Sequence, residues 1–249
     1  MTEQLITDFG FEKVLAKEKA SRVADVFTSV ASEYDLMNDV MSFGVHRLWK
    51  RKLVDFCAIR RNYNVLDLAS GTGDIASLIY KRLGDSGRVT LCDINSDMLK
   101  NARDRFINKG KIERIDYVQA SAELLPFEDN SFDCMTLSFG LRNMTDKDAA
   151  LRSMYRKLKY GSQLVILEFS KVMIPVLSKI YDEYSLKLIP RFGKVIASDE
   201  SSYQYLVESI RVHPNQEILA TMMRQAGFEK VQYYNLTGGV VAIHRGYKI

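Results

Sequence analysis

Five short apolar runs occupy the middle of the chain, each followed by a stretch or turn that resets the pattern. They are Asn64 to Leu68, "RVTLCD" ending at Asp93, "IDYV" through Val118, "FDCMTL" through Leu137, and "SQLVILEF". Apolar residues returning every three or four positions predict helices between them. One runs from Asp74 to about Leu83, one from Ser96 as N-cap to a stop at Gly110, and one over "KDAALRSMYRKLK" to near Gly161. Strands alternating with helices at this interval predict right-handed crossovers and a parallel sheet covered on both faces. The end of the chain breaks the alternation, because "KVQYYNL" and "VVAIHRGY" flank "TGG" and read as a hairpin that adds one antiparallel strand. The expected fold is therefore α/β, a seven-stranded, mostly parallel sheet with one antiparallel strand and helices on both faces.

Upstream, Ala16 to Val30 reads as an amphipathic helix, and Tyr34 to Cys57 as a turn-rich approach to another. Residues 1–60 are thus expected to form an N-terminal helical cover. Residues 171–212 carry a mostly helical pattern too long for an ordinary crossover, and read as a helical insertion, part of it a lid. No repeat, low-complexity tract or linker divides the chain, so residues 1–249 are expected to be one domain.

Composition narrows the picture without deciding it. With 249 residues, 47% hydrophobic and 27% charged, the chain can bury a full core, which argues against disorder. A net charge of +4 is mild; it suits an anionic surface or acidic ligand without demanding nucleic acid. Cys57, Cys92 and Cys134 are odd in number, far apart and free of a CxxC spacing, so they point to a reducing compartment. His46, His213 and His244 are scattered as well, and no metal site is expected. The start "MTEQLITDFGFEKV" has acids and no apolar core, unlike a targeting peptide. No uncharged apolar run reaches the ~20 residues of a spanning helix.

The stretch "LDLASGTGD", Leu66 to Asp74, closes the first strand with glycines flanked by carboxylates. In a doubly wound, Rossmann-like sheet a ligand binds beyond the carboxyl ends of the strands, where strand order reverses. Gly71 and Gly73 let the backbone approach that ligand, and Asp93 ends the second strand where it can accept hydrogen bonds from ribose hydroxyls. Gly71, Gly73 and Ala76 alone would satisfy a dinucleotide fingerprint. Asp67 and Asp74 argue otherwise, because a pyrophosphate within ~5 Å of a carboxylate in a poorly solvated crevice costs Coulomb energy. S-adenosylmethionine carries a sulfonium and an α-ammonium, so the same acids favour it. The competing reading is that Asp67 satisfies backbone groups and Asp74 caps a helix. Ser121, Ala122 and Glu123 follow the third strand where adenine would lie, and Ser138 ends the fourth beside the methionine part. Each of these serines also fits as an ordinary polar strand terminus.

With these positions in place the chain resembles a class I S-adenosylmethionine-dependent methyltransferase, and more narrowly the ubiquinone/menaquinone biosynthesis C-methyltransferase family. The resemblance rests on "YDLMNDVMSFGVHRLWK", "LDLASGTGD", "SFGLRNMTDKDAALRSMYRKLK", "LEFSK", "SYQYLVESIRVHPNQEILATMMRQAGF" and "YYNLTGGVVAIHRGYK". It implies cofactor contacts at Thr72, Asp93, Ser121 with Ala122, and Ser138. Three positions depart from the family pattern: Ser70 replaces a glycine, Ser121 an Asn or Asp, and "YGS" at Tyr160 to Ser162 a "PGG" turn. Ser121 keeps a hydroxyl, while Ser70 and Ser162 raise the question of whether positive φ is needed there.

The resemblance implies C-methylation of a polyprenylated benzoquinol, of the 2-methoxy-6-polyprenyl-1,4-benzoquinol type, or of demethylmenaquinol. A ring carbon becomes nucleophilic when the adjacent hydroxyl loses its proton, and charge then disappears as the methyl moves, so a water-poor pocket with fixed polar groups suits the reaction. Candidate catalytic residues are Arg142 and Asn143 beyond the fourth strand, with Tyr34, Asn38 and His46 from the cover. Arg142, almost always charged, suits phenolate stabilisation or a water relay better than direct proton abstraction. His46 has a suitable pKa, and a capping or exposed histidine beside Arg47 and Trp49 is the plainer alternative.

In the insertion, Val176, Leu177, Ile180, Tyr181, Tyr184 and Leu188 form a helical stripe near Lys179, Lys187, Arg191 and Lys194. Core packing explains most of it; a lid over an isoprenoid tail resting on anionic lipid is the functional alternative. The expected partners are a prenylated quinol, peripherally a membrane, and no nucleic acid, with a homo-oligomer or a quinone-biosynthesis complex left open. The expected location is a bacterial cytoplasm, with peripheral contact on the inner face of the membrane. "SFGLRN" lacks the Asn/Asp-Pro-Pro-aromatic motif of amino-group methylators, and no Pro-Cys suits cytosine chemistry. A methyltransferase for another aromatic or lipid acceptor, a non-catalytic quinone-binding subunit, and an NAD oxidoreductase remain as alternatives.

Overall fold

The computed structural model describes residues 6–29, 39, 42, 44–173 and 200–249. Tyr34, Asn38 and the apolar stripe expected at 176–188 lie outside these residues, as do Lys179, Lys187, Arg191 and Lys194. The chain opens with β1 (Ile6–Phe9) and β2 (Glu12–Leu15), then α1 (Ala16–Ser29) and α2 (His46–Phe56). Next come β3 (Asn64–Leu68), α3 (Asp74–Tyr80), β4 (Arg88–Asp93), α4 (Ser96–Asn108), β5 (Ile115–Gln119) and β6 (Phe132–Ser138). The remainder is α5 (Lys147–Lys157), β7 (Leu158–Phe169), α6 (Glu200–Val212), α7 (Gln216–Gln225), β8 (Glu229–Leu236) and β9 (Val241–Tyr247).

Seven strands form one sheet in the order β5-β4-β3-β6-β7-β9-β8. β3 pairs in parallel with both β4 and β6, whereas β9 runs antiparallel to β7 and β8. The chain builds outward from β3 to β5 and then returns to the other side of β3 with β6. The switch point therefore lies between β3 and β6, and their carboxyl ends open the crevice expected of such a sheet.

Period-2 alternation sorts the strand residues between two cores. Val65, Val89, Leu91, Cys134, Val165, Leu167 and Ile243 face a layer with α2, α3 and α4; Leu66, Leu68, Met135, Leu137, Leu164 and Ile166 face α5 and α7. Every one of these side chains is 0–1% exposed, and burying each contributes roughly 1.5–3 kcal/mol. Such two-sided burial explains why the strands read as continuous apolar runs.

Several boundaries differ from the expected ones for local reasons. Asn95, not Ser96, caps α4: its Oδ1 accepts from the amides of Asp97 at 2.9 Å and Met98 at 3.1 Å. α3 ends at Tyr80, short of Leu83, and α5 ends at Lys157, after which β7 begins at once. Gly161 lies inside β7 rather than at a helix end, with φ +79°. Neither Ser70 nor Ser162 adopts positive φ; their neighbours Ala69 (φ +46°) and Gly161 do, so both serines are tolerated by the backbone.

The expected helical cover also begins with a ribbon. Ile6 pairs with Leu15 and Phe9 with Glu12 around the two-residue turn Gly10–Phe11. α1 follows it as expected, ending at Ser29.

Candidate active site

A crevice of about 870 Å³, part of it open to solvent, lies over the carboxyl ends of β3, β4 and β6. Its floor includes Ala69, Gly71, Asp93, Ser121, Ala122 and Ser138; Asn143 and Met144 close one side, and Ala20, Val23, Ala24 and Phe27 of α1 cover it. Among the described residues, the charged side chains lining it are two acids, Asp93 and Glu123. A second space of about 310 Å³ adjoins it, sharing Ala69, Ser138 and Phe139. Lys50, Asp67, Ser70, Thr72 and Asp74 line this smaller space.

Asp93 ends β4 with both oxygens already oriented. Its Oδ2 accepts the amide of Gly71 at 2.8 Å and its Oδ1 the amide of Asn95 at 2.9 Å. Burial pushes its carboxyl above the usual range, with the amides of Asn95, Gly71 and Ile94 pulling the other way. A carboxylate offers about four acceptor sites, so three amides leave it acceptor capacity for a ligand.

Asp67 is 1% exposed in the middle of the sheet, where its Oδ1 accepts from Thr136 Oγ1 at 2.8 Å and its Oδ2 from the amide of Ala76 at 3.0 Å. Burial pushes it up to about 7, against both hydrogen bonds. It ties β3 to β6 and to α3 and also borders the smaller space.

Asp74 changes the electrostatic argument drawn from the glycine turn. Lys50 Nζ lies 2.8 Å from its Oδ2 and Arg105 Nη1 2.7 Å from its Oδ1. Burial raises its pKa, but Lys50 and then Arg105 more than reverse this, so it is held below the usual range. Its charge is thus compensated, and the net negative character faces the larger crevice through Asp93 and Glu123 instead. The smaller space presents both signs.

Gly71 lines the larger crevice and Thr72 the smaller one. Gly73 lines neither: it starts α3 at φ +82°, and a Cβ there would approach Phe106 Cε2 to 3.0 Å and Leu91 Cδ2 to 3.1 Å. Glycine is required at this position for backbone geometry and close packing. Ser121 caps the 3₁₀ turn Ala122–Leu124, with its hydroxyl donating to Glu123 Oε2. The Oγ atoms of Ser70 and Ser138 are buried and have no hydrogen-bond partner among the described residues, which fits groups reserved for a polar ligand.

The candidate catalytic residues separate. Asn143 lines the larger crevice. Arg142 does not; 6% exposed, it borders a third space with Lys19, Lys147, Tyr205 and His213. Its Nη1 donates to Phe139 O at 2.5 Å and lies 3.2 Å from Glu168 Oε2, while its guanidinium covers the Phe169 ring at 5.5 Å. His46 lines none of the three spaces. It is 3% exposed, with Nδ1 2.9 Å from Ser42 Oγ and 3.6 Å from Asp39 Oδ1, and burial, reinforced by Lys50, holds its pKa below the usual value.

α1, within the helical cover expected from the sequence, supplies apolar side chains over the crevice. Two contributors were not visible in the sequence: Lys19 is buried with Nζ 2.9 Å from Met144 O, and Tyr205 Oη donates to Asn143 Oδ1 at 3.0 Å. Burial, helped by Lys147, brings the Lys19 ammonium down to about 8.

A sheet of this order, with an acid-bearing crevice at its switch point, is the Rossmann-like class I methyltransferase fold. Two solved structures share the fold. A SAM-dependent methyltransferase from Aquifex aeolicus matches with TM-score 0.59 and 15% identity, over 80% of this chain and 89% of its own. Haemonchus contortus phosphoethanolamine N-methyltransferase 2 in complex with S-adenosyl-L-methionine matches with TM-score 0.61 and 18% identity, over 80% and 52%. The chain belongs to the ubiE/COQ5 methyltransferase family, whose model matches residues 14–248. Among curated relatives, the ubiquinone/menaquinone biosynthesis C-methyltransferase UbiE of Escherichia coli O1:K1 / APEC is 59% identical over 245 residues, covering 98% of both chains. The protein of the same name from E. coli O139:H28 (strain E24377A / ETEC) matches to the same extent. No group of acidic, histidine or cysteine side chains able to hold a metal occurs among the described residues.

Proposed function

We propose that this protein is an S-adenosylmethionine-dependent C-methyltransferase that methylates a prenylated benzoquinol and demethylmenaquinol in ubiquinone and menaquinone biosynthesis. The observation that carries the donor half is the pairing of two joined spaces, one lined by acids and one by both signs, across the orphan hydroxyl of Ser138. The acceptor half rests on the 59% identity with the E. coli enzymes over nearly the whole chain. When bound, S-adenosylmethionine supplies an electrophilic methyl group on a sulfonium centre.

The lining residues divide the work. Asp93 accepts from ribose hydroxyls while keeping the Gly71 amide, and Ser121 with Ala122 borders the adenine end. Ser138 lies beside the sulfonium. Ser70, Thr72 and Lys50 meet the zwitterionic amino-acid end, its carboxylate toward Lys50. Gly73 acts by shaping the turn, and Asp67 shapes it from the edge of the smaller space.

On the acceptor side, Asn143 offers the fixed polar group for the quinol oxygen, and the α1 side chains with Phe139 and Met144 exclude water from the ring. Arg142 supports turnover through the 139–143 segment that it braces, since its guanidinium is engaged by Phe139 O and Glu168. His46 acts in the same indirect way, orienting the start of α2 near Lys50.

No helix among the described residues is long and apolar enough to cross a membrane. The acceptor proposed above is lipid-soluble, and we place the enzyme peripherally at the inner membrane face of a bacterial cytoplasm. Liposome flotation with and without salt tests that placement. The functional reading itself is tested by quinone profiling of a cell lacking the protein. Demethylated benzoquinone and naphthoquinone precursors should accumulate; unchanged quinones would defeat the assignment.

A further inference from the structure

The N-terminal ribbon connects to the crevice by a chain of contacts that the donor site does not need. Phe9 of β1 stacks on Tyr205 of α6, with ring centroids 4.2 Å apart and planes 21° from parallel. Tyr205 is 5% exposed, and its hydroxyl donates to Asn143 Oδ1 at 3.0 Å. The ribbon is pinned at both ends of this relay. Thr7 Oγ1 donates to Thr145 O at 3.2 Å, and the Phe11 amide donates to Glu208 Oε2 at 3.1 Å.

An amide side chain has one accepting and one donating end, and a free Asn can present either. Here the phenol takes one lone pair of Oδ1 and fixes that end of the amide toward α6, with the Nδ2 hydrogens available to a group in the crevice. The distinction matters for this chemistry. As the quinol oxygen gains negative charge, an N–H donor stabilises it, whereas a carbonyl oxygen in the same place repels it. A hydrogen bond accepted at Oδ1 also polarises the amide and strengthens its donors.

We infer that Tyr205 is a positioning residue for methyl transfer, locking Asn143 with its donors toward the acceptor, and that the Phe9 stack makes the N-terminal ribbon part of this lock. The inference rests on the acceptor role given above to Asn143. Tyr205 itself carries no proton in the reaction. Burial pushes its hydroxyl up to about 12, so it remains a phenol across the working pH range.

The test uses the full-length protein with a short-tail quinol and the variants Tyr205→Phe, Asn143→Ala, their double mutant, Phe9→Ala and Phe9→Tyr. Tyr205→Phe should lower kcat about tenfold while leaving S-adenosylmethionine affinity by calorimetry and the thermal midpoint near wild type. The double mutant should be no slower than Asn143→Ala alone, because both changes remove one interaction. Phe9→Ala should lower kcat in the same direction, and Phe9→Tyr, which keeps the stack, should restore it. The kcat–pH profile of Tyr205→Phe should keep its shape.

Wild-type kcat in Tyr205→Phe, with Asn143→Ala impaired, would overturn the positioning role while leaving the Asn143 reading intact. Wild-type kcat in Asn143→Ala would overturn that reading instead. Additive losses in the double mutant, donor affinity lost in parallel with kcat, or a shifted pH profile would each also defeat the inference.

Discussion

The carboxylate of Asp93 holds the glycine turn directly: its Oδ2 accepts the Gly71 amide at 2.8 Å, so the acid that ends β4 and the turn that ends β3 form one rigid unit. This lock fixes the turn against the end of β4 at the edge of the crevice.

Asp93→Asn retains size but loses one amide acceptor and the charge. We expect S-adenosylmethionine to bind about 10- to 100-fold more weakly, corresponding to about 1.5–3 kcal/mol for a hydrogen bond to a charged group. Isothermal calorimetry measures this, and unchanged affinity would remove Asp93 from the ribose site.

Ser138 allows stability and binding to be separated. Its Oγ is buried without a partner among the described residues, so Ser138→Ala should leave folding stability unchanged or raise it by up to about 1 kcal/mol. Donor affinity should fall at the same time. Denaturant titration and calorimetry on one sample give both values; a variant that loses stability and keeps affinity would assign the hydroxyl to the core.

Lys50 provides the test of the smaller space. Lys50→Met removes the cation next to Asp74 and leaves Arg105 to pair with that acid. The KM for S-adenosylmethionine should rise about tenfold, with kcat at saturation near wild type, as expected for an interaction equal in ground and transition states. An unchanged KM would show that the amino-acid end lies elsewhere.

Asp67 makes stability depend on pH in an unusual direction for an aspartate. Its folded pKa, near 7, exceeds the ordinary 3.8, so the folded state holds a proton that the unfolded state has lost. Its contribution is fully favourable below about pH 4 and declines as pH rises to about 7. His244, pushed down to about 4 by burial, works oppositely between pH 4 and 6.5, so the difference between wild type and Asp67→Asn is the informative quantity. Urea melts at pH 5 and pH 8 should show wild type losing on the order of a few kcal/mol relative to the variant. A difference independent of pH would contradict this.

The strands of the sheet were legible because both of their faces are buried, as at Val65 and Leu66, which turns each strand into an apolar run. The glycine turn was legible because its backbone demands are local, and Asp93 because it ends the next apolar strand run about twenty residues on. The ribbon was missed because its signal is only four residues on each side of Gly10–Phe11, and of those eight side chains only Val14 is buried. Asp74 was misjudged for a different reason. Its partner Lys50 lies 24 residues away on α2, and no local pattern announces an ion pair across elements. Lys19 and Tyr205 were invisible on the same ground, since their partners Met144 and Asn143 are 125 and 62 residues distant.

The most direct test is methyl transfer in vitro. The purified protein, given methyl-tritiated S-adenosylmethionine and short-tail reduced substrates of benzoquinol and demethylmenaquinol type, should place label on the ring carbon of the product. Tight donor binding with no label in either quinol would contradict the account.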